Sequence, residues 1–593
     1  MAATHSSAWF KLSSNKEADE RGSRASISVE GLCCSPDDPA STHLKDMVVI
    51  AHDFYHSLHT PLPASADCRS AQDALISEVA HEYQDLPAPP PADSPSGPFS
   101  LGEVLTLKGK MPNSAPGPDG IPYFFWKALA MRINLLQKQG LRIPCFWSTY
   151  QRLTDDLCLH GTDRLGFKDT NLSLFFKKGD PTLVANYHPI SSMNTDCKMY
   201  TNLINACLAP WAMNKLHTDQ KGFVPLRYIT EHTHLCSKVA HLCNKTGTPR
   251  YIVSLDQAKA YNQVDSTLLI RTMEAMGLPA DLLHMIMDIL VNCHTRVCIN
   301  GGYSGFFSLW RGVRQGDPLS CLLYDFSIEP MGMHLRHAIS GISLLGLQPV
   351  KLIQYADDMN LFLSTMEDLL LIHRTMDATS FALGSLFNLS KTDILVVGPP
   401  EHHDISHNEI TECFTSGFLI PPGLPLWVLG AWVSSPDYAL DRWEQIYSHI
   451  KKIICQWNAI GASLLNRALL AKALLLSRCY YLLDCNGIPA KILGKINSAV
   501  CHFVCGPFSH LPYTFLSAPL SSGGLNCPSL RERKLAYDTK FISDLISSPL
   551  DIAWKQWTQA DLSTASSKPG KLPGININPL LQCSIVKLSD LEP

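Results

Sequence analysis

Between residues 351 and 364 the chain reads KLIQYADDMNLFLS, with Leu352, Ile353 and Tyr355 before a pair of acids and Met359, Leu361 and Phe362 after it. Two short apolar runs around a polar pair predict two strands joined by a tight turn, with Asp357 and Asp358 at its tip. Similar short runs predict further strands. LSLFFKK (172–178) ends in paired lysines ahead of a Gly-Asp-Pro turn, and YIVSL (251–255) is a buried-type strand that stops at Asp256. After Asp256 the spacing becomes helical up to Gly277. Residues 298–309 alternate like strands around Gly301 and Gly302, a hairpin signal. In RGVRQGDPLSCLLYDF, Asp317 and Pro318 predict a helix start, an Asp N-cap with Pro at the first helical position, and Leu319, Leu322, Leu323 and Phe326 form its buried face. Met199, Leu203, Ile204 and Leu208 fall at helical spacing. Residues 388–398 read as turn and strand, and 426–434 as an apolar hairpin. Residues 443–483 are largely helical, with Lys451, Lys452, Arg467, Lys472 and Arg478 on polar positions, either a phosphate-binding stripe or a solvated face. The first 98 residues are acidic and polar and close in LPAPPPADSPSGP; a helix is expected over residues 44–59 and poor order elsewhere.

The chain has 593 residues and 46% apolar content, enough for several cored domains. The expected division is a leader over 1–98, fingers and palm over 99–434 with a core at 158–434, a helical thumb and following segment over 435–540, and a tail over 541–593. A formal charge of -4 leaves no global basic field, so a nucleic-acid surface must be local. The 20 cysteines are scattered and no secretory signal opens the chain, which fits reduced thiols in a nuclear or cytoplasmic protein and not a secreted one. Cys293, His294 and Cys298, and likewise Cys501, His502 and Cys505, lack a second ligand pair at zinc spacing. No apolar run reaches membrane-spanning length, so a soluble protein with no membrane partner is expected.

Taken alone, an Asp-Asp pair at a turn is most often a solvated turn. Its order in the chain changes that. A strand-terminal Asp256 precedes the hairpin acids by about 100 residues, with a Gly-containing strand–helix element between them. Two-metal phosphoryl transfer needs carboxylates from different elements to bridge two divalent ions roughly 3.5–4 Å apart, one activating a 3′-hydroxyl and one steadying a triphosphate. Asp256 and Asp357 would be that pair, with Asp358 supporting the site or the primer end.

The series APGPDG, FFKKGD, NYHPIS, QKGFVPLR, SLDQAKAYN, RGVRQGDPLS, YADD, NLSKT and LWVLG resembles, in order, the blocks of reverse transcriptases, and most closely those of non-LTR (LINE-type) retrotransposons. The resemblance implies an α/β right-hand polymerase with fingers, palm and helical thumb. It implies Mg²⁺ (Mn²⁺ as a substitute), an RNA template, a DNA primer and deoxynucleoside triphosphates. By position, Tyr261 matches the aromatic that excludes a 2′-hydroxyl, and Gln315 and Gly316 the pair beside the incoming base and template. Lys177 and Lys178 match the triphosphate contacts of the fingers, and Arg227 a nucleic-acid contact. Lys391 matches either an acid for departing pyrophosphate or a solvated strand lysine. The chain departs from the family pattern at His188, where the pattern has arginine, at Asn262 (an acid), Cys321 (a proline) and Leu226 (a glycine). A mostly neutral imidazole cannot replace a guanidinium's permanent charge and forked donors, so reduced activity is expected. The alternative is a nucleic-acid-binding remnant that no longer turns over. The leader is too short for the endonuclease that accompanies this family, so nicking is expected in trans.

Overall fold

The computed structural model describes residues 29–61, 65–84, 98–112, 114–164, 166–245, 249–344, 347–384, 386–387, 392–399, 418–433, 438–458, 461–506, 511–547 and 553–558. The elements that position the site are, in chain order, α1 (Leu44–His59), α2 (Ala66–Tyr83), β1 (Thr170–Phe176), β2 (Tyr187–Met193), α3 (Thr195–Lys215), α4 (Ile229–Asn244), β3 (Arg250–Leu255), α5 (Ala260–Gln263), β4 (Cys293–Ile299), β5 (Gly302–Tyr303), β6 (Phe307–Leu309), α6 (Ser320–Ala338), β7 (Leu352–Tyr355), β8 (Asp358–Leu363), β9 (Asp393–Val397) and β10 (Phe418–Leu419). They fall into two compact units. The first comprises Met1–Pro225, Gln257–His334 and Thr375–Phe387, and the second Leu226–Asp256, Leu335–Arg374 and Asn388–Pro593.

The first unit is built on a sheet of order β2–β1–β4–β5, with β6 also paired to β4. β1 runs antiparallel to β2 and parallel to β4, so the chain crosses over through helices between them. Asn300 (φ 49°) and Gly301 (φ 83°) make the turn from β4 to β5; two left-handed residues match the twist of the strands they join. One face of this sheet is closed by α1, whose Met47, Val48, Ala51 and Tyr55 pack on Leu172, Tyr187, Val297, Ile299 and Phe307. Those four α1 residues recur at i, i+1, i+4 and i+8, one stripe of a helix. The polar leader thus supplies a core helix, and also α2, which the apolar pattern did not announce.

At the end of α1, buried His59 joins two distant segments. Its Nδ1 donates to the Arg311 carbonyl at 2.9 Å, and its Nε2 accepts from Asn262 Nδ2 at 3.1 Å. Arg311 Nε returns a bond to the Leu58 carbonyl at 2.8 Å. A carbonyl can only accept, so Nδ1 carries the proton and the ring is neutral. Burial, partly offset by the bond to Arg311, lowers its pKa to about 4.

The second unit holds a sheet of order β10–β9–β3–β8–β7. Its core joins Leu235, Cys236, Val239 and Leu242 of α4 to Ile252, Phe362, Leu395 and Val397, with Trp554 and Trp557 from the far end of the chain. Strands covered this way read as nearly continuous apolar runs, as YIVSL and ILVV do.

One expectation is corrected. The helix expected from Pro318 begins at Ser320. Asp317 Oδ1 accepts from Leu319 N at 3.0 Å, while Oδ2 pairs with buried Arg314 at 2.8 Å, so the acid caps a turn ahead of the helix and neutralises a buried cation at once. No disulfide joins the described cysteines. Among the described residues no helix is long and apolar enough to cross a membrane.

His59→Gln is expected to cost about 1–2 kcal/mol of stability at neutral pH by removing two buried hydrogen bonds. Because the folded pKa lies below the unfolded value of 6.5, the wild-type contribution is present above 6.5 and drains away as pH falls toward about 4. Thermal melts should therefore show the gap between wild type and variant narrowing with acid.

Candidate active site

The acids singled out by the sequence are brought together by strand register in the second unit. β3 and β8 pair antiparallel, Tyr251 with Leu363 through Leu255 with Met359. Asp256 follows the last paired residue of β3, and Asp358 precedes the last paired residue of β8. β7 and β8 close with Tyr355 opposite Asp358, leaving Ala356 and Asp357 as a two-residue turn. Asp357 and Asp256 are half-buried and Asp358 is exposed. Ala356 is held at φ 52°, a left-handed conformation that costs alanine energy and that the turn imposes in order to present Asp357.

Sequence reasoning missed a fourth carboxylate. Asp393 of β9 lies opposite Ser254 on β3, and burial together with the charge of Asp256 raises its carboxyl above the usual range. Such crowding is relieved by a cation, and oxygen donors suit a hard divalent ion. Among the described residues no three His, Cys, Asp or Glu side chains form a metal cage by themselves. Lys391, two residues before Asp393, lies outside the described residues. Arg227, half-buried, opens this unit just after Leu226, whose φ of 62° is the left-handed conformation that the family's glycine would accept without strain.

The residues expected on the nucleotide side lie in the first unit. Tyr261 sits in α5 with its ring stacked on Tyr324 of α6, centroids 4.6 Å apart and 11° between planes. The Tyr324 hydroxyl donates to Gln257 Oε1. Cys321 bonds the Tyr261 side chain, while burial raises its thiol to about 11. Backbone bonds fix the same residue from the other side, Val313 N to the Tyr261 carbonyl at 2.8 Å and Gly312 N to that of Val264 at 2.7 Å. Of the departures from the family pattern, Asn262 is thus used by His59 and Cys321 by Tyr261. No sequence signal marks Tyr324 or His59, because their partners lie far away in the chain.

Gln315 and Gly316 are tied to β2. Ser191 N donates to the Gln315 carbonyl at 2.7 Å, and a Cβ on Gly316 would stand 2.6 Å from the Ser191 carbonyl at a φ of 116°. Only glycine fits. Gln315 lines an open hollow of about 410 Å³ with Phe175, Phe176, His188 and Ile190, so the β2 residue that departs from arginine shares a surface with the loop glutamine. Lys177 and Lys178 are exposed just past β1, where Lys177 N extends the hairpin to the Asn186 carbonyl at 3.0 Å.

Residues 176–420 match the family described as reverse transcriptase (RNA-dependent DNA polymerase). The mixed α/β fold accords with this match. The chain is 27% identical over 539 residues to the transposon TX1 uncharacterized 149 kDa protein of Xenopus laevis, covering 87% of this chain and 37% of that protein. It is 24% identical over 355 residues to the Pol polyprotein of the type-2 retrotransposable element R2DM of Drosophila melanogaster, covering 55% of this chain and 31% of that protein. The chain is thus similar to reverse transcriptases over residues 176–420 and to these two transposon proteins, and it spans about a third of the length of these relatives. An apo telomerase structure from Candida tropicalis, truncated from its C-terminal domain, aligns over 40% of this chain and 51% of its own at 14% identity and a TM-score of 0.31, too distant to weigh here.

Gly316→Ala is expected to cost about 2 kcal/mol through its clash and its strained φ. It should also raise the KM for nucleotide in a protein that still melts cooperatively. Steady-state extension and a thermal melt of the same preparation check both.

Proposed function

We propose that this chain extends a DNA primer on an RNA template, an RNA-directed DNA polymerase. The observation that carries the reading is the β3–β8 ladder, which ends at Leu255 and Met359, one residue from Asp256 and one from Asp358, beside the turn that holds Asp357. Asp256 and Asp357 would hold two divalent ions, Mg²⁺ or Mn²⁺, and Asp358 would support the site or the primer end. When bound, such ions lower the pKa of a 3′-hydroxyl and neutralise charge on the leaving pyrophosphate. The chain's own groups position the reactants. Tyr261, fixed between Tyr324 and the Val313 amide, would lie under the sugar and reject a 2′-hydroxyl. Gln315 and Gly316 offer a close backbone approach to base and template. Lys177 and Lys178 neutralise triphosphate charge, and Arg227 contacts nucleic acid. Lys391 either protonates departing pyrophosphate or remains a solvated lysine.

The rival reading, a nucleic-acid-binding remnant with weak or no turnover, draws support from His188 and from the strained Leu226. Extension of an RNA-templated DNA primer decides between them. Incorporation should require Mg²⁺ or Mn²⁺, stop on chelation and fall by orders of magnitude in Asp357→Asn. Incorporation that survives this substitution, or none with any metal, would end the polymerase reading; in the latter case retained RNA binding would favour the remnant.

If His188 limits triphosphate binding, His188→Arg should lower the KM for nucleotide severalfold, since a charge-assisted bidentate contact is stronger than one to a neutral ring. An unchanged KM would show that the departure is not what limits this enzyme.

A further inference from the structure

The sheet of the first unit has a second face, opposite α1. Alternation along each strand puts Asn171, Ser173 and Phe175 of β1, His188 and Ile190 of β2, Arg296 and Cys298 of β4 and Tyr303 of β5 on it. The register lines these residues up across the strands. Ile190 pairs with Ser173, Ser173 with Cys298 and Cys298 with Tyr303, making one row, and Asn171 pairs with Arg296 in the next. The face is open to solvent: Tyr303 is 52% exposed, Phe306 45% and Ile190 38%.

At the β5 end an arginine and two aromatics form one group. The Arg296 guanidinium lies 4.4 Å from the Tyr303 ring centroid and 4.9 Å from that of Phe306. Its Nε is oriented by a 2.8 Å bond to Asn171 Oδ1. At the β2 end the row begins at Ile190, in the hollow that also holds His188 and Gln315. Three strand spacings separate the two ends, roughly 14 Å. Around this face lie Arg296, His188, His294, Lys177 and Lys178. The acids at its margin are Asp169, 3.7 Å from His294 Nδ1, and Asp180 in the turn after β1. Its fixed charges on the cationic side are Arg296, Lys177 and Lys178, which make it a locally basic face in a chain of net charge -4. Flat rings backed by a guanidinium suit unpaired bases, because a duplex hides base faces that a single strand offers for stacking.

We infer that this face, with Arg296, Tyr303 and Phe306 at its far end, is a stacking platform for the single-stranded RNA template ahead of the base being copied. The inference rests on the polymerase reading, since that reading makes Gln315 and His188 the place where the template strand arrives. The row from Ile190 to Tyr303 then continues the strand's path along the sheet. Binding here is tolerant of sequence, as stacking uses the base face and not its edge.

The test uses the full chain and a DNA primer annealed to an RNA template with a short oligouridine 5′ extension. The same duplex with a template ending just beyond the primer, and one with an abasic extension, serve for comparison. Wild type should bind the oligouridine form about tenfold more tightly than either. That advantage should largely vanish in the double variant Tyr303→Ser, Phe306→Ser and shrink in Arg296→Gln, with circular dichroism melts showing that each variant folds. An advantage that persists in both variants, or that an abasic extension also confers, overturns the platform. If wild type extends the primer but gains nothing from the extension, the platform fails and the polymerase reading stands. If wild type neither binds nor extends any of the duplexes, both fail together.

Discussion

The antiparallel pairing of β3 with β8 is the constraint on which the site in the second unit depends. Side chains alternate along a strand, so a slip of one residue would send Asp256 to the opposite face from its partner and separate the acids. The slip is opposed by burial. Ile252 and Phe362, a register pair, sit in a core with Leu235, Val239 and Trp557, and a displaced register would expose both. Apolar packing far from the chemistry therefore fixes where the carboxylates meet. Burial first, and then the charge of Asp256, raise the Asp393 carboxyl above the usual range.

In the first unit the limiting factor is backbone placement. The segment from Arg311 to Gly316 is bonded to α5, to β2 and, through His59, to α1. Each contact is a main-chain or buried bond, so Tyr261, Gln315 and Gly316 are held by a frame that side-chain substitution elsewhere on the surface does not reach. That frame includes a helix preceding the family match. Deleting the acidic leader would remove α1 from the sheet and release the Arg311 carbonyl, so the leader is part of the frame that holds Tyr261 and Gln315.

Much of this was legible in the sequence because it is local. The Asp357 turn between two apolar runs, the Asn300–Gly301 turn and the helix over 44–59 are each written in a window of a few residues. The order of acids and glycine-bearing loops then pointed to a polymerase. What the sequence did not show is long-range. The separation of His59 from Asn262 is 203 residues, and that of Tyr324 from Gln257 is 67; pairs like these leave no periodic trace. The start of α6 was misplaced because Asp317, an ideal cap by type, is shared with buried Arg314, a competition that spacing alone does not reveal. Asp393 was passed over as one polar residue at a strand start; only the pairing with β3 gives it a neighbour in Asp256.

The central claim is that Asp256 and Asp357 together hold one shared pair of divalent ions. Calorimetric titration of Mn²⁺ into the full chain bound to a primer–template and a nucleotide, with a primer that cannot be extended, tests it most directly. Asp256→Asn and Asp357→Asn should each weaken tight binding, and the double variant should be little weaker than either alone, as expected for two ligands of a single site. Losses that simply add, or an affinity unchanged in either single variant, would contradict the account.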